Sequence, residues 1–128
     1  MSIAESLLAN DPASQMLGIE LVEQGNESCV VSMLINKSMT NGYDVCHGGF
    51  IYTLADTACA FACARENKII LSSSGQIEYL SPAVLGDKLI ASAKVGYTSH
   101  RAIYCDVEVK SNGDKVNAFF RGKLIVKH

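Results

Sequence analysis

The stretch from His47 to Arg65, HGGFIYTLADTACAFACAR, limits more than any other how this chain can fold. Behind the paired glycines Gly48 and Gly49 it is rich in alanine and free of proline. That composition predicts a helix of about four or five turns, over residues 48–66. Apolar residues fall nearly all round the helix rather than on one stripe, the pattern of a helix buried at the centre of a domain. The run is too short, and its side chains too small, for a membrane span. Asp56 alone breaks the pattern, flanked by Leu54, Ala55, Ala58 and Cys59.

Aspartate is a poor helix-interior residue, and an unpartnered buried carboxylate costs on the order of several kcal/mol. One use for Asp56 is structural, as a partner for a strand or for a hydroxyl such as Thr53 or Thr57. The glycines point to another. A helix that starts at Gly48-Gly49 presents free backbone N–H groups with no side chain in the way, at the positive end of its dipole. Such donors suit an anion or the developing oxyanion of acyl transfer. A carboxylate and an oxyanion donor on one helix are the parts of a hydrolase.

The rest of the chain reads as sheet. A short amphipathic helix over residues 2–9 stops before Asp11-Pro12. Strands are expected over 17–24 and 28–35, joined at Gly25-Asn26, and 37–46 is a polar loop leading into the central helix. In the second strand Val30, Ser32 and Leu34 alternate with Val31, Met33 and Ile35, so both faces are partly apolar. That suits a sheet with a helix on one side and another subunit on the other. Strands follow over 69–80, 88–97, 102–110 and 115–126, with turns at Gly86-Asp87, Thr98 to Arg101 and Ser111-Asn112-Gly113-Asp114. Two strands, a buried helix and a meander give an α+β fold, an antiparallel sheet of five to six strands wrapped round one long helix.

The 128 residues make one domain, 1–128, and a net charge of −2 argues against a nucleic-acid surface. No N-terminal run combines a basic end, an apolar stretch and a cleavage site, and the five cysteines lack framework spacing. Reduced thiols in a cytoplasmic protein are expected. Cys59 and Cys63 lie one helical turn apart, but no further ligands stand at matching spacing, so they read as core and no metal site is assigned.

The motif H-G-G-x6-D opening an apolar helix resembles the hotdog-fold acyl-CoA thioesterases, in particular the phenylacetic-acid-degradation type. The resemblance runs over nearly the whole chain. It takes in Asn41, the segment from Ile77 to Pro82, and Phe119-Phe120-Arg121-Gly122-Lys123. It implies hydrolysis of an acyl-CoA, with an aryl-acetyl group suggested, and no metal or redox cofactor. It assigns Asp56 as nucleophile or general base and the Gly48 N–H as the group that polarises the thioester carbonyl, with Asn41 and His47 positioning the site. Ser72 resembles the hydroxyl that orients the acid, although the run Ser72-Ser73-Ser74 leaves its register open.

Substrate contacts are also expected from Gly49, Tyr79, Arg101 and Arg121, the arginines toward coenzyme A phosphates. Tyr79 and Phe50 read equally as core. Cys46-His47 is a poor nucleophile and base pair, because adjacent residues rarely face each other. Other readings are a hotdog dehydratase or hydratase, which needs a different histidine motif, and a non-catalytic acyl-CoA sensor, which has no use for Asp56. Helix geometry adds a partner. Gly48 and Asp56 are eight residues apart, roughly 12 Å, so a site that uses both is expected to be shared across a homodimer. A homotetramer built as a dimer of dimers is the expected assembly.

Overall fold

Ser2 and Glu5 cap each other: the Glu5 N–H donates to Ser2 Oγ at 3.1 Å and the Ser2 N–H donates to Glu5 Oε1 at 3.2 Å. In the computed structural model, which describes residues 2–127, this box opens α1 (Ile3–Ala9). The next segment departs from expectation. Asp11-Pro12 does not merely end α1; Asp11 accepts the Ser14 N–H at 3.0 Å and Pro12 takes the first helical position, so α2 (Pro12–Met16) forms. The chain turns at Gly18, with φ +69°, and β1 begins only at Glu20 rather than at residue 17.

Six strands make one antiparallel sheet: β1 (Glu20–Gly25), β2 (Ser28–Leu34), β3 (Ile69–Tyr79), β4 (Lys88–Thr98), β5 (Ala102–Ser111) and β6 (Lys115–Lys127). Their order is β1-β2-β4-β5-β6-β3, and the central helix α3 (Gly48–Cys63) lies in the crossover between β2 and β3. The turn between β5 and β6 puts Asn112 at φ 51° and Gly113 at φ 82°, the pair of left-handed residues that an Asn-Gly hairpin demands.

The core is the space between α3 and the sheet. Leu54, Ala58 and Cys59 of α3 belong to one buried cluster with Val31 and Met33 of β2, Leu89 and Ala91 of β4, Val109 of β5 and Leu124 of β6, none more than 1% exposed. Burial of each large side chain contributes about 1.5–3 kcal/mol. The alanines matter by being small, since they let the helix lie close. A Cβ on Gly122 would sit 2.9 Å from Cys59 Sγ, so this point of closest approach requires glycine.

Two features of α3 correct the sequence reading. It ends at Cys63 rather than near residue 66, because Ala64 takes ψ 141° and leaves the helical region. Arg65 then donates to the Cys63 and Ala64 carbonyl oxygens at 2.6 and 3.0 Å, satisfying groups the helix leaves open. Nor is α3 buried all round. Gly49 is exposed, and Tyr52, Thr53, Asp56, Thr57 and Ala60 are only partly covered. They form one stripe facing the same side as β3. That strand is eleven residues long and lies at the edge of the sheet, with Ile69 57% and Leu71 48% exposed.

Candidate active site

The approach to α3 is built by Asn41. Its Oδ1 accepts the N–H groups of Tyr43 and Val45 at 2.8 and 3.1 Å, while its own N–H donates to the Val45 carbonyl at 2.9 Å. This closed turn holds Asp44 at φ 60°, where Lys37 pairs with it at 2.8 Å. Val45 and Cys46 are clamped from the other side. Val45 bridges Val84, and the Cys46 N–H donates to the Ala83 carbonyl at 2.8 Å. The His47 N–H donates to the Met39 carbonyl at 2.9 Å, and His47 becomes the N-cap of α3 with its ring exposed.

The consequence falls on the next two residues. His47 supplies no side-chain cap, and among the described residues the N–H groups of Gly48 and Gly49 have no protein acceptor. Two donors thus stand open at the positive end of a sixteen-residue helix. Tyr79 fixes them in place from β3: its hydroxyl donates to the Gly48 carbonyl at 2.9 Å. A Cβ on Gly48 would lie 2.7 Å from Tyr79 Cζ, so glycine is required by this ring as well as by the open donors.

Asp56 lies two turns further along the exposed stripe. Its partner is neither Thr53 nor Thr57, whose hydroxyls donate back to the Gly49 and Thr53 carbonyls at 3.0 and 2.7 Å. Ser72 Oγ donates to Asp56 Oδ1 at 3.1 Å. The serine run resolves itself through a bulge in β3, where Ser72 pairs with Leu124 and Ser74 with Lys123, leaving Ser73 as the extra residue. Desolvation raises the Asp56 carboxyl above its ordinary value, and the Ser72 hydrogen bond partly opposes this. The result is a carboxylate of increased basicity, held by one hydroxyl and open on its other side.

Other candidates separate cleanly. Cys46 donates its thiol to the His47 carbonyl at 3.4 Å, not to the ring, and desolvation pushes the thiol up, so it offers no thiolate nucleophile. Arg121 stands between Phe120 and Gly122, which both face α3, so its side chain lies on the opposite face of the sheet. There it grips Asp106 with both ends of its fork, at 2.6 and 3.1 Å. Arg101 is exposed in the turn between β4 and β5, its carbonyl accepting the Val126 N–H at 3.0 Å.

Sequence reasoning missed the anchor beneath the loop. Asn117 is fully buried, and its Nδ2 donates to the carbonyls of Ser81 and Pro82 at 3.4 and 3.2 Å. The Ser81-Pro82 turn leads directly to Ala83, whose carbonyl holds Cys46. Nothing in the local pattern around Asn117 marks it, since its partners lie more than thirty residues away. A cavity of about 740 Å³ opens between α1 and the end of α3, walled by apolar Leu7, Ala60 and Ile70 and by polar Asn10, Arg65 and Lys68 among others. Ala60 stands one helical turn beyond Asp56.

A six-stranded antiparallel sheet wrapped round a helix, with open glycine donors at its start and an acid on its exposed stripe, defines a thioester hydrolase of the hotdog class. Comparison with known proteins agrees. A family model describing the thioesterase superfamily matches residues 43–118. The chain is 35% identical over 120 residues to the acyl-coenzyme A thioesterase PaaI of Escherichia coli, covering 94% of this chain and 86% of that one. The E. coli PaaI structure superposes with a TM-score of 0.93 at 34% identity, covering 98% of this chain and 91% of that one. The structure of a mutant of the phenylacetic acid degradation protein PaaI from Thermus thermophilus gives 0.85 at 30%, covering 90% and 98%. This chain belongs to the thioesterase superfamily. It is an acyl-CoA thioesterase with the hotdog fold, and among its described residues no helix is long and apolar enough to cross a membrane.

Proposed function

We propose that this enzyme cleaves acyl-CoA at a site formed by the open N–H donors of Gly48 and Gly49 and the carboxylate of Asp56. The observation that carries this reading is the state of Asp56: half-buried, raised by desolvation, and bonded on one side only, to Ser72. The thioester carbonyl accepts a hydrogen bond from the Gly48 N–H, which draws charge to oxygen as the tetrahedral adduct forms. Asp56 takes a proton from the attacking water, or itself attacks to give an anhydride that water then opens. The C–S bond breaks and coenzyme A leaves as thiolate. The reaction so written calls on Asp56, the Gly48 N–H and water, and on neither a metal nor a redox cofactor. Asn41 and His47 act by holding Gly48, while Gly49, Ser72 and Tyr79 shape the substrate's surroundings.

The acyl group belongs in the cavity beyond Ala60, which has room for a ring and offers Leu7, Phe61 and Ile70 as apolar contacts beside its polar residues. The relatives named PaaI point to an aryl-acetyl group. Coenzyme A phosphates need cations; Arg101 is exposed, whereas Arg121 has already committed its fork to Asp106. The incompletely covered stripe of α3 beside a long unpaired β3 edge supports a two-fold dimer. Antiparallel apposition sets Gly48 of one chain beside Asp56 of its partner, twice. Two such dimers make a tetramer, and a cytoplasmic location keeps the five free thiols reduced.

The test is a hydrolysis screen over short, long and aromatic acyl-CoAs, read by thiol release. Fastest turnover is expected with aryl-acetyl-CoA. Faster turnover of straight-chain substrates would overturn the acyl assignment, and no hydrolysis of any acyl-CoA would overturn the site.

A further inference from the structure

Cys59 and Cys63 project one turn apart from the inner face of α3, and sequence spacing gives them no third partner. The fold supplies one. Strand β5 passes against that turn and brings Cys105, so that the three sulfur atoms lie within 4.8 Å of one another. All three residues are 0% exposed, and among the described residues no other three potential ligands of the His, Cys, Asp and Glu types are gathered in this way.

Packing accounts for small side chains here, because Gly122 and the neighbouring alanines bring the helix close to the sheet. Free cysteine commonly fills such space as a small apolar side chain, but packing does not require three sulfur atoms to converge on one point, as these do. Arg65 stays nearby through its bonds to the Cys63 and Ala64 carbonyls.

We propose that Cys59, Cys63 and Cys105 form a three-sulfur site for a single soft, thiophilic ion, of which monovalent copper fits best. Soft thiolate ligands favour such ions, and copper(I) accepts three ligands. A structural zinc site needs a fourth, and among the described residues no fourth joins the group. Each sulfur that binds releases its proton to solvent as the Cu–S bond forms; copper stays monovalent and no electron moves. Three thiolates around one monovalent ion leave the complex doubly negative, and the single positive charge of Arg65 offsets this only in part. The ion ties α3 to β5 in the sealed core, beginning one helical turn from Asp56, whose own side chain stands on the partly exposed stripe. Because the thiols are sealed from solvent, loading requires a local opening and is slow. Cys29 and Cys46, buried outside the trio, are internal controls.

The experiment offers copper(I), held by a chromophoric chelator, to the reduced full-length protein without oxygen. The expected result is slow transfer of one copper per chain, with a rise in Tm. Cys105→Ala and Cys63→Ala should each weaken transfer at least tenfold, while Cys29→Ala and Cys46→Ala leave it unchanged. X-ray absorption at the copper edge needs no variant, so a loosened core cannot mislead it: three sulfur neighbours are expected. No transfer to the native protein, transfer undiminished in Cys105→Ala, or a copper with fewer than three sulfur neighbours overturns the proposal.

Discussion

Ser72 donates a hydrogen bond to Asp56 Oδ1 at 3.1 Å, reaching from the bulged edge strand β3 to the exposed stripe of α3. The bond favours the charged carboxylate, while desolvation favours the neutral acid and is the larger effect. Removing the hydroxyl with Ser72→Ala should therefore raise Asp56 further. If Asp56 must be ionised to work, the acidic limb of the kcat/KM profile moves to higher pH. Activity then falls more near pH 5 than near pH 8. A limb that stays in place would mean that some group other than Asp56 titrates in the profile.

Asp56→Asn keeps shape and removes the base. Turnover should drop by about 10²–10⁴-fold, the range expected for a lost acid–base group, with binding of substrate retained. Stability changes in the opposite direction. A carboxyl raised in the folded state binds more protons there than when unfolded, so its contribution is full below the unfolded value and is lost as pH rises through the folded one. The variant escapes that loss. Its Tm should exceed that of the parent at pH 7 and approach it near pH 4, measured by calorimetry across the range.

Gly48 and Tyr79 form a second linked pair. Tyr79→Phe keeps the ring and deletes the bond to the Gly48 carbonyl, while Gly48→Ala keeps the N–H but places a Cβ 2.7 Å from the ring. Both should lower kcat with little change in KM, because each disturbs the aim of the open donors rather than the binding surface. Gly48→Ala should also cost about 1–3 kcal/mol through overpacking. Adding Tyr79→Ala to it should recover part of that loss in Tm, and failure to recover would show the strain lies elsewhere.

The two arginines should behave differently. Arg121 is paired with Asp106 at 2.6 Å on the face of the sheet away from Asp56, so its charge is already neutralised. Arg101→Ala should raise KM for acyl-CoA with kcat nearly unchanged, and the effect should shrink as salt is added. Arg121→Ala should change KM less. Steady-state kinetics at low and high ionic strength decide between them; equal effects would place both arginines on the phosphates.

How far the sequence reaches follows from which contacts are local. The central helix, its glycine start and the Asn112-Gly113 hairpin depend on neighbouring residues, and they are legible. Asp11-Pro12 was legible in part: the first helix does stop before it, but the same pair, with Asp11 as cap, also begins another. The exposed stripe of α3 was not read, because Ala60 and Tyr52 sit on it and look apolar in sequence, and the covering sheet decides which side stays open. Asn117 under the loop and Cys105 beside Cys59 are tertiary contacts between distant segments. No periodicity announces them.

Gly48 and Asp56 belong to one unbroken helix, eight residues apart, which at 1.5 Å per residue is roughly 12 Å. A thioester carbonyl that touches the Gly48 N–H therefore lies out of reach of Asp56 in its own chain. If the site is shared, two different defects can complement each other. Asp56→Asn removes the base, and Asn41→Ala removes the side chain that ties Tyr43 and Val45 into the turn before Gly48. Each variant should be inactive alone. Co-expressed and paired at random, half of the dimers are mixed. Each mixed dimer holds one intact site, with Asn41 and Gly48 from one chain and Asp56 from the other, and one doubly damaged site. About one quarter of the parent activity should return. Native mass spectrometry confirms the mixed dimers, and no recovery in their presence would place the whole site within a single chain.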